Sequence, residues 1–348
     1  MSESMARNDH RPRLTLCLAA AAMVGGGVAV GQPMPDYDFE WRTVGAPGNR
    51  APTEQEAPGL FSFPGGPVPG SVAYEYRISR TEVTVGQYFE FVQAYAPYYD
   101  GALNDQAFTG LWIWSDAADP RDASGYQIVD DASDRAANMS WYMAARYVNW
   151  LNSGKASDRD AFESGVYDTS SFGSGQEIVE RNPDARFWIP SLNEWVKAAH
   201  YDADRYGPGQ EGYWLYPHGS DSPPITGLPQ EGGQTAADLL IGPGDPHPWL
   251  DVGSYPDVQS PWGLLDLSGG LSEWLEDQIS PDLSGGIDRR RDGSFDFDGA
   301  VFDDRLDVLR AAGAHSPFYG IRVAGAVPTP GALVIPLFVG MIPNRRRR

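Results

Sequence analysis

The stretch Pro261-Trp-Gly-Leu-Leu-Asp-Leu-Ser-Gly-Gly-Leu-Ser-Glu-Trp-Leu-Glu-Asp277 constrains the chain more than any other. A short apolar run (Trp262, Leu264, Leu265, Leu267) enters a Ser-Gly-Gly turn, and an acid followed by an aromatic, Glu273-Trp274, leaves it. Asp266 and Glu273 bracket the turn, and Gly269-Gly270 free the backbone to bend its carbonyls inward. On these residues alone two readings stand open. One is a tight turn capped by acids. The other is a site for a hard cation such as calcium, which takes about six to eight oxygens from carboxylates and carbonyls.

Composition narrows what surrounds that turn. A hydrophobic content of 41% with 11 Trp and 17 Tyr in 348 residues calls for a folded body. Forty Gly and 29 Pro call for one rich in turns and irregular backbone. The net charge of -21 argues against nucleic acid or anionic lipid as a partner of the main body. The single cysteine, Cys17, lies inside an N-terminal apolar run. It leaves no disulfide to staple the fold and no thiol for chemistry once that run is removed.

Residues 1–31 read as a secretory signal: Arg7, Arg11 and Arg13, then an apolar core from Leu14 to Val30, then small residues at Ala29-Val30-Gly31. Residues 32–70, with repeated Pro and Gly, read as an extended leader. Tyr74, Tyr76 and Ile78 alternate like a strand, and Thr84-Val-Gly-Gln87 forms a capping box. Val85, Tyr88, Phe89 and Val92 then share one helical face. The Trp-rich Leu111–Ser115 and the acidic segment to Asp134 read as loop and short strand. A second helix is expected from Ser140 through Leu151, stopped by Asn152-Ser153-Gly154. A third follows the capping box Ser191/Glu194, in which Glu194 has a structural role.

Residues 202–260 carry little regular pattern. His218 and His247 sit in loops, as solvent-facing or backbone-bonded side chains, and no HExxH spacing links the five histidines. The acids Asp292, Asp296, Asp298, Asp303, Asp304 and Asp307 lack the order of an EF-hand loop and read as a solvated segment. At the end, Val327-Pro-Thr-Pro330 precedes an apolar run from Gly331 to Ile342 and then Arg345–Arg348.

Several of these stretches resemble landmarks of the formylglycine-generating enzyme (sulfatase-modifying factor) family. Gly263 to Trp274 is similar to its Gly-Leu-x-Asp-Met-x-Gly-Asn-x-x-Glu-Trp signature, with Gly270 where the family has Asn. Tyr76–Tyr88, Asn138–Leu151, Phe187–Trp195, Tyr216–Gly219, Val252–Tyr255, Arg291–Phe295 and Gly320–Ala324 follow the order of the family's other elements. The resemblance implies an α+β, irregular C-type-lectin-like fold, low in regular secondary structure, over residues 71–326. It also implies a calcium site made by the Asp266 side chain, the Gly269 and Leu271 carbonyls and the Glu273 carboxylate. Family enzymes bind copper(I) through two cysteines. Counted from Ser294, those positions are Phe297 and Phe302, and the same count brings Arg310 onto a family arginine. Phenylalanine cannot ligate copper, so no copper is expected.

The tail, residues 327–348, resembles the PEP-CTERM-like sorting signal of exosortase-processed bacterial proteins, with Thr329 in place of the usual Glu. The resulting expectation is an exported, non-catalytic scaffold, stabilised by calcium and binding a protein or glycan at the cell surface. The alternatives are an oxidoreductase of the formylglycine-generating type with altered chemistry, or a structural protein of the envelope.

Overall fold

Strands from opposite ends of the chain meet in one sheet. The computed structural model describes residues 34–59, 68–101, 107–172, 180–237, 250–269, 271–277, 305–306 and 319–328. Among these, β1 (Trp41–Val44), β2 (Tyr76–Ser79), β8 (Ala324–Gly325) and β5 (Phe187–Trp188) lie side by side in that order, all antiparallel. β2 pairs with β1 from Trp41↔Ser79 to Val44↔Tyr76, and with β8 at Ile78↔Ala324. All four residues of β2 are buried. The alternation at Tyr74, Tyr76 and Ile78 predicts a strand, and β2 is that strand, covered on both faces. Two two-stranded hairpins complete the β structure described: β3 (Ile113–Ser115) with β4 (Tyr126–Ile128), and β6 (Tyr201–Asp202) with β7 (Gly212–Tyr213).

The helices start where their caps are written. α1 (Val85–Tyr95) begins at Thr84, whose side chain accepts from the Gln87 N–H while the Gln87 side chain accepts from Thr84 N–H. It buries Val85, Tyr88, Phe91, Val92 and Tyr95, and Phe89 is only partly covered. α2 (Trp141–Asn152) is capped by Ser140 and ends before Gly154, whose φ of 86° turns the chain away. The short α3 (Asp160–Glu163) packs beside it. α4 (Leu192–His200) opens with the Ser191/Glu194 capping box. Rings fill the space between α1 and α2: Phe91 lies 5.5–6.0 Å from Tyr88, Tyr95, Tyr147, Trp150 and Phe162. The Tyr88 and Tyr95 pairs are stacked and the other three edge-on, the two arrangements aromatic rings prefer.

The expected leader is part of the body. Residues 41–44 form the edge strand β1, and Asn49 is buried. Its Nδ2 donates to Gly70 O (2.9 Å) and the Tyr213 hydroxyl (2.6 Å), and its Oδ1 accepts from Val72 N–H (3.1 Å). Arg50 grips the buried Glu56 carboxylate at 2.7 and 2.8 Å, and Glu56 also accepts from Tyr213 N–H. Against burial, which raises it, these bonds and the Thr53 N–H hold the Glu56 carboxyl down to about 2. In the described residues 34–59 and 68–70, these bonds anchor the segment to the body.

Candidate cation centre around Glu273

The loop Leu271–Asp277 is held on every side by bonds to distant segments. Trp274 N–H donates to Gly320 O (2.9 Å), and Gly320 N–H donates to Ser272 O (2.8 Å). The Trp274 indole donates to Met139 O (2.8 Å), the Trp141 indole to Leu275 O (2.9 Å), and Glu276 N–H to Pro190 O (3.0 Å). These tie the loop to the starts of α2 and α4 and to the segment that becomes β8. At its entrance Gly269 has φ 82°, and a Cβ there would stand 2.3 Å from Thr235 Oγ1, so only glycine fits. Asp266 also takes a left-handed conformation (φ 56°), and its Oδ2 accepts from Gly253 N–H at 2.6 Å.

Glu273 lies at the middle with no exposed surface. Its Oε1 accepts from Arg322 Nε at 2.7 Å and its Oε2 from the Trp195 indole at 2.7 Å. Arg322, equally buried, sends its remaining donors to Arg80 O (2.6 Å) and Leu265 O (2.5 Å). It thus joins the end of β2, the Pro261–Leu267 run and the Glu273 loop. A third acid, Glu82, is 1% exposed and accepts from Leu271 N–H at 2.8 Å. Burial raises the carboxyls of Glu82, Asp266 and Glu273 above their ordinary range. The charge of Glu273 adds to the effect on Glu82, and Arg322 opposes it in all three.

Two guanidinium groups act on these acids: Arg322 on all three, and Arg80, itself bonded to Glu40 at 2.8 and 3.0 Å, on Asp266. The donors are of the right chemistry for a cation: a carboxylate oxygen that accepts one hydrogen bond keeps a second lone pair for a metal. Among the described residues no three His, Cys, Asp or Glu side chains converge as a metal-holding group. A cation here would therefore draw on backbone carbonyls beside the acids.

The sequence-predicted residues Asp266, Gly269, Leu271 and Glu273 all belong to this turn, but the acids have different neighbours. Asp266 lines a small half-open pocket with His218, Tyr255 and Leu264, and Glu273 is not part of its lining. His218 departs from expectation: its Nδ1 is buried and lacks a hydrogen-bond partner, and burial lowers its pKa. Glu194 is structural, accepting from Ser191 N–H (2.7 Å), the Tyr74 hydroxyl (2.7 Å) and the Trp188 indole (3.0 Å). Gly270, His247, Phe297, Phe302, Arg310, the acids from Asp292 to Asp307 and both chain ends lie outside the described residues. Sequence reasoning missed Trp195 and Arg322 as partners of Glu273, and Glu82 as the acceptor of Leu271 N–H. One signal for Arg322 was present, a charge between the apolar Ile321 and Val323.

Residues 43–327 match the family described as Sulfatase-modifying factor enzyme 1-like domain. No curated protein matches the chain. Among solved structures, the crystal structure of CarF is similar at 20% identity, covering 84% of this chain and 99% of that one, with a TM-score of 0.42. Treponema denticola variable protein 1 is similar at 15% identity over 83% and 95% of the two chains, with a TM-score of 0.47. PvdO from Pseudomonas aeruginosa is similar at 16% identity over 83% and 92%, with a TM-score of 0.42. The match to the family runs from within β1 through the described α-helices and the Glu273 turn to β8, and by it the chain belongs to the sulfatase-modifying factor (formylglycine-generating enzyme-like) family.

Proposed function

We propose that this protein is an exported, non-catalytic member of its family: a calcium-stabilised scaffold that binds a protein or glycan at the cell surface. The observation that carries the non-catalytic reading is the cysteine count. The only cysteine, Cys17, precedes the family domain, and Phe297 and Phe302 occupy the positions counted for the copper thiolates. Calcium would be held by the Asp266 and Glu273 carboxylates and the Gly269 and Leu271 carbonyls. The likeness of this turn to the family's calcium signature supports that assignment. The cation would fix a turn on which five distant segments converge, leaving the loops around it to bind. Among the described residues Trp114, Tyr206 and Ile225 are large exposed apolar side chains that could take part in binding. The signal at residues 1–31 and the tail at residues 327–348 support export and processing by an exosortase-type enzyme.

The test is chemical. Purified protein, copper(I), oxygen and a sulfatase-type cysteine peptide are incubated, and aldehyde is sought by mass spectrometry. No product above background is expected; turnover would establish an oxidoreductase and end the non-catalytic reading.

A further inference from the structure

The small pocket beside Asp266 holds a polar side chain that the fold itself does not use. His218, on the loop after Tyr216, lines it, and its buried Nδ1 has no hydrogen-bond partner. Burying such a nitrogen costs stability, because it gives up water and gains no bond in exchange. Around it the pocket shows both kinds of hydrogen-bonding group. Asp266 takes Gly253 N–H on Oδ2 at 2.6 Å, and its carboxylate has further lone pairs with which to accept. Gln234 accepts from Ile225 N–H through Oε1 (3.0 Å), which leaves the hydrogens of Nε2 to donate. Ser260 Oγ accepts from Leu264 N–H (3.2 Å) and keeps a hydroxyl hydrogen to give. Val258, Leu264 and Leu267 supply an apolar wall.

Charge narrows the occupant. Among the described residues that line the pocket there is no Lys or Arg to pair with a phosphate, a sulfate or a carboxylate. Its one acid, Asp266, already faces the guanidiniums of Arg322 and Arg80, so it does not call for a cation. Burial lowers the pKa of His218, so its ring is neutral at pH 7. An ammonium only donates and a carboxylate only accepts, whereas a hydroxyl does both, as this lining asks. The apolar wall beside these groups suits the C–H face of a sugar ring. We propose that the pocket is a binding subsite for a neutral sugar, in which His218, Asp266 and Gln234 bond adjacent hydroxyls at the end of a glycan. The inference rests on the reading of the chain as a binding scaffold, and within that reading it selects glycan over protein.

The full mature chain, in calcium-containing buffer, is screened by saturation-transfer NMR against glucose, galactose, mannose and N-acetylglucosamine, with glucosamine and glucuronic acid as charged counterparts. At least one neutral sugar is expected to take up saturation, and to bind more tightly than either charged one. His218→Phe fills the pocket and removes the unpartnered nitrogen. It is expected to weaken the neutral sugar by about tenfold or more, while its melting temperature stays at or above that of the wild type. Affinity within about twofold of wild type in the folded variant would overturn the site. Tighter binding of a charged sugar than of every neutral one would overturn the assigned class. Should His218→Phe fail to fold, Gln234→Ala decides: a loss of about threefold or more is expected, and unchanged affinity overturns the proposal. No uptake by any sugar overturns it as well, and a peptide array then separates the two readings. Binding to a peptide leaves the scaffold reading standing with a protein partner, and binding to neither sugar nor peptide ends both.

Discussion

The buried pair Arg322–Glu273 offers the sharpest perturbation of this fold. Neither side chain has any exposed surface, and three donors of Arg322 are placed at 2.7 Å on Glu273, 2.6 Å on Arg80 O and 2.5 Å on Leu265 O. Arg322→Met deletes all three. Stripping one partner from a buried ion pair costs about 3–5 kcal/mol, and orphaning Leu265 O adds about 1–3 kcal/mol, while Arg80 O keeps the Leu265 N–H at 2.9 Å. The sum, about 4–8 kcal/mol, rivals the roughly 5–15 kcal/mol that holds a whole domain together. Arg322→Met should therefore fail to accumulate as folded protein. Arg322→Lys keeps a charge but cannot fork toward three acceptors, and should lose about 2–4 kcal/mol, or roughly 5–15 °C in melting temperature for a body of this size. Urea unfolding in EDTA, followed by tryptophan fluorescence with Trp195 as the nearby reporter, measures both. If Arg322→Met unfolds within about 1 kcal/mol of wild type, Arg322 is not the tie between β2 and the Glu273 loop, and the account of the centre fails.

Calcium should raise the melting temperature at millimolar concentration, a level about that of extracellular calcium modules. Glu273→Gln and Asp266→Asn should each blunt that rise in differential scanning fluorimetry; identical curves in calcium and EDTA would return the turn to a purely structural feature. Asn49→Ala removes bonds to Gly70 O, Tyr213 and Val72 N–H and should cost about 2–4 kcal/mol. It should also speed proteolysis between residues 34 and 59, whereas unchanged urea curves would mean that this segment is a dispensable leader after all. Lys197, buried on α4 with its ammonium on Ala46 O, is pushed down by burial to about 8 from 10.5. The unfolded chain then holds more protons than the folded one between about pH 8 and 10.5, so folded stability gains with pH across that window. Lys197→Met should remove the gain when urea midpoints are compared at pH 8 and 10.

The parts of the fold legible in the sequence are those whose cause is local. Thr84 with Gln87, Ser140, and Ser191 with Glu194 each sit within four residues of the donors they satisfy, so a cap can be read without knowing the rest of the chain. The sheet is different. β5 and β8 are two residues long, and β1 is recognised only by its pairing with β2, thirty-odd positions later. No periodicity exists in two residues, and in residues 32–70 the Pro and Gly content outweighs four strand residues in any window. The face of α1 shows a smaller version of this limit: Phe89 and Phe91 are both apolar, and only the position of α2 decides that Phe91 is covered.

The surroundings of the Glu273 turn were half legible for the same reason. Asp266 and Glu273 lie in one turn, while Glu82 and Arg322 reach Leu271 and Glu273 across 189 and 49 positions. What they do there follows from the irregularity that the Gly and Pro content announces. Helices and sheets pair their own backbone groups, but a buried loop does not, and its N–H and C=O groups must find partners elsewhere. Here the partners are long polar side chains. Arg322 serves two carbonyls, Glu82 serves the Leu271 amide, and the indoles of Trp141 and Trp274 each serve one carbonyl more. A buried charge pair adds little by its Coulomb energy alone, because desolvation offsets it. Arg322 and Glu273 stabilise the fold chiefly through the backbone groups and the indole that they keep bonded. Replacing the pair by apolar residues would therefore abandon those groups, which is why the usual tolerance of such replacements does not extend to this centre.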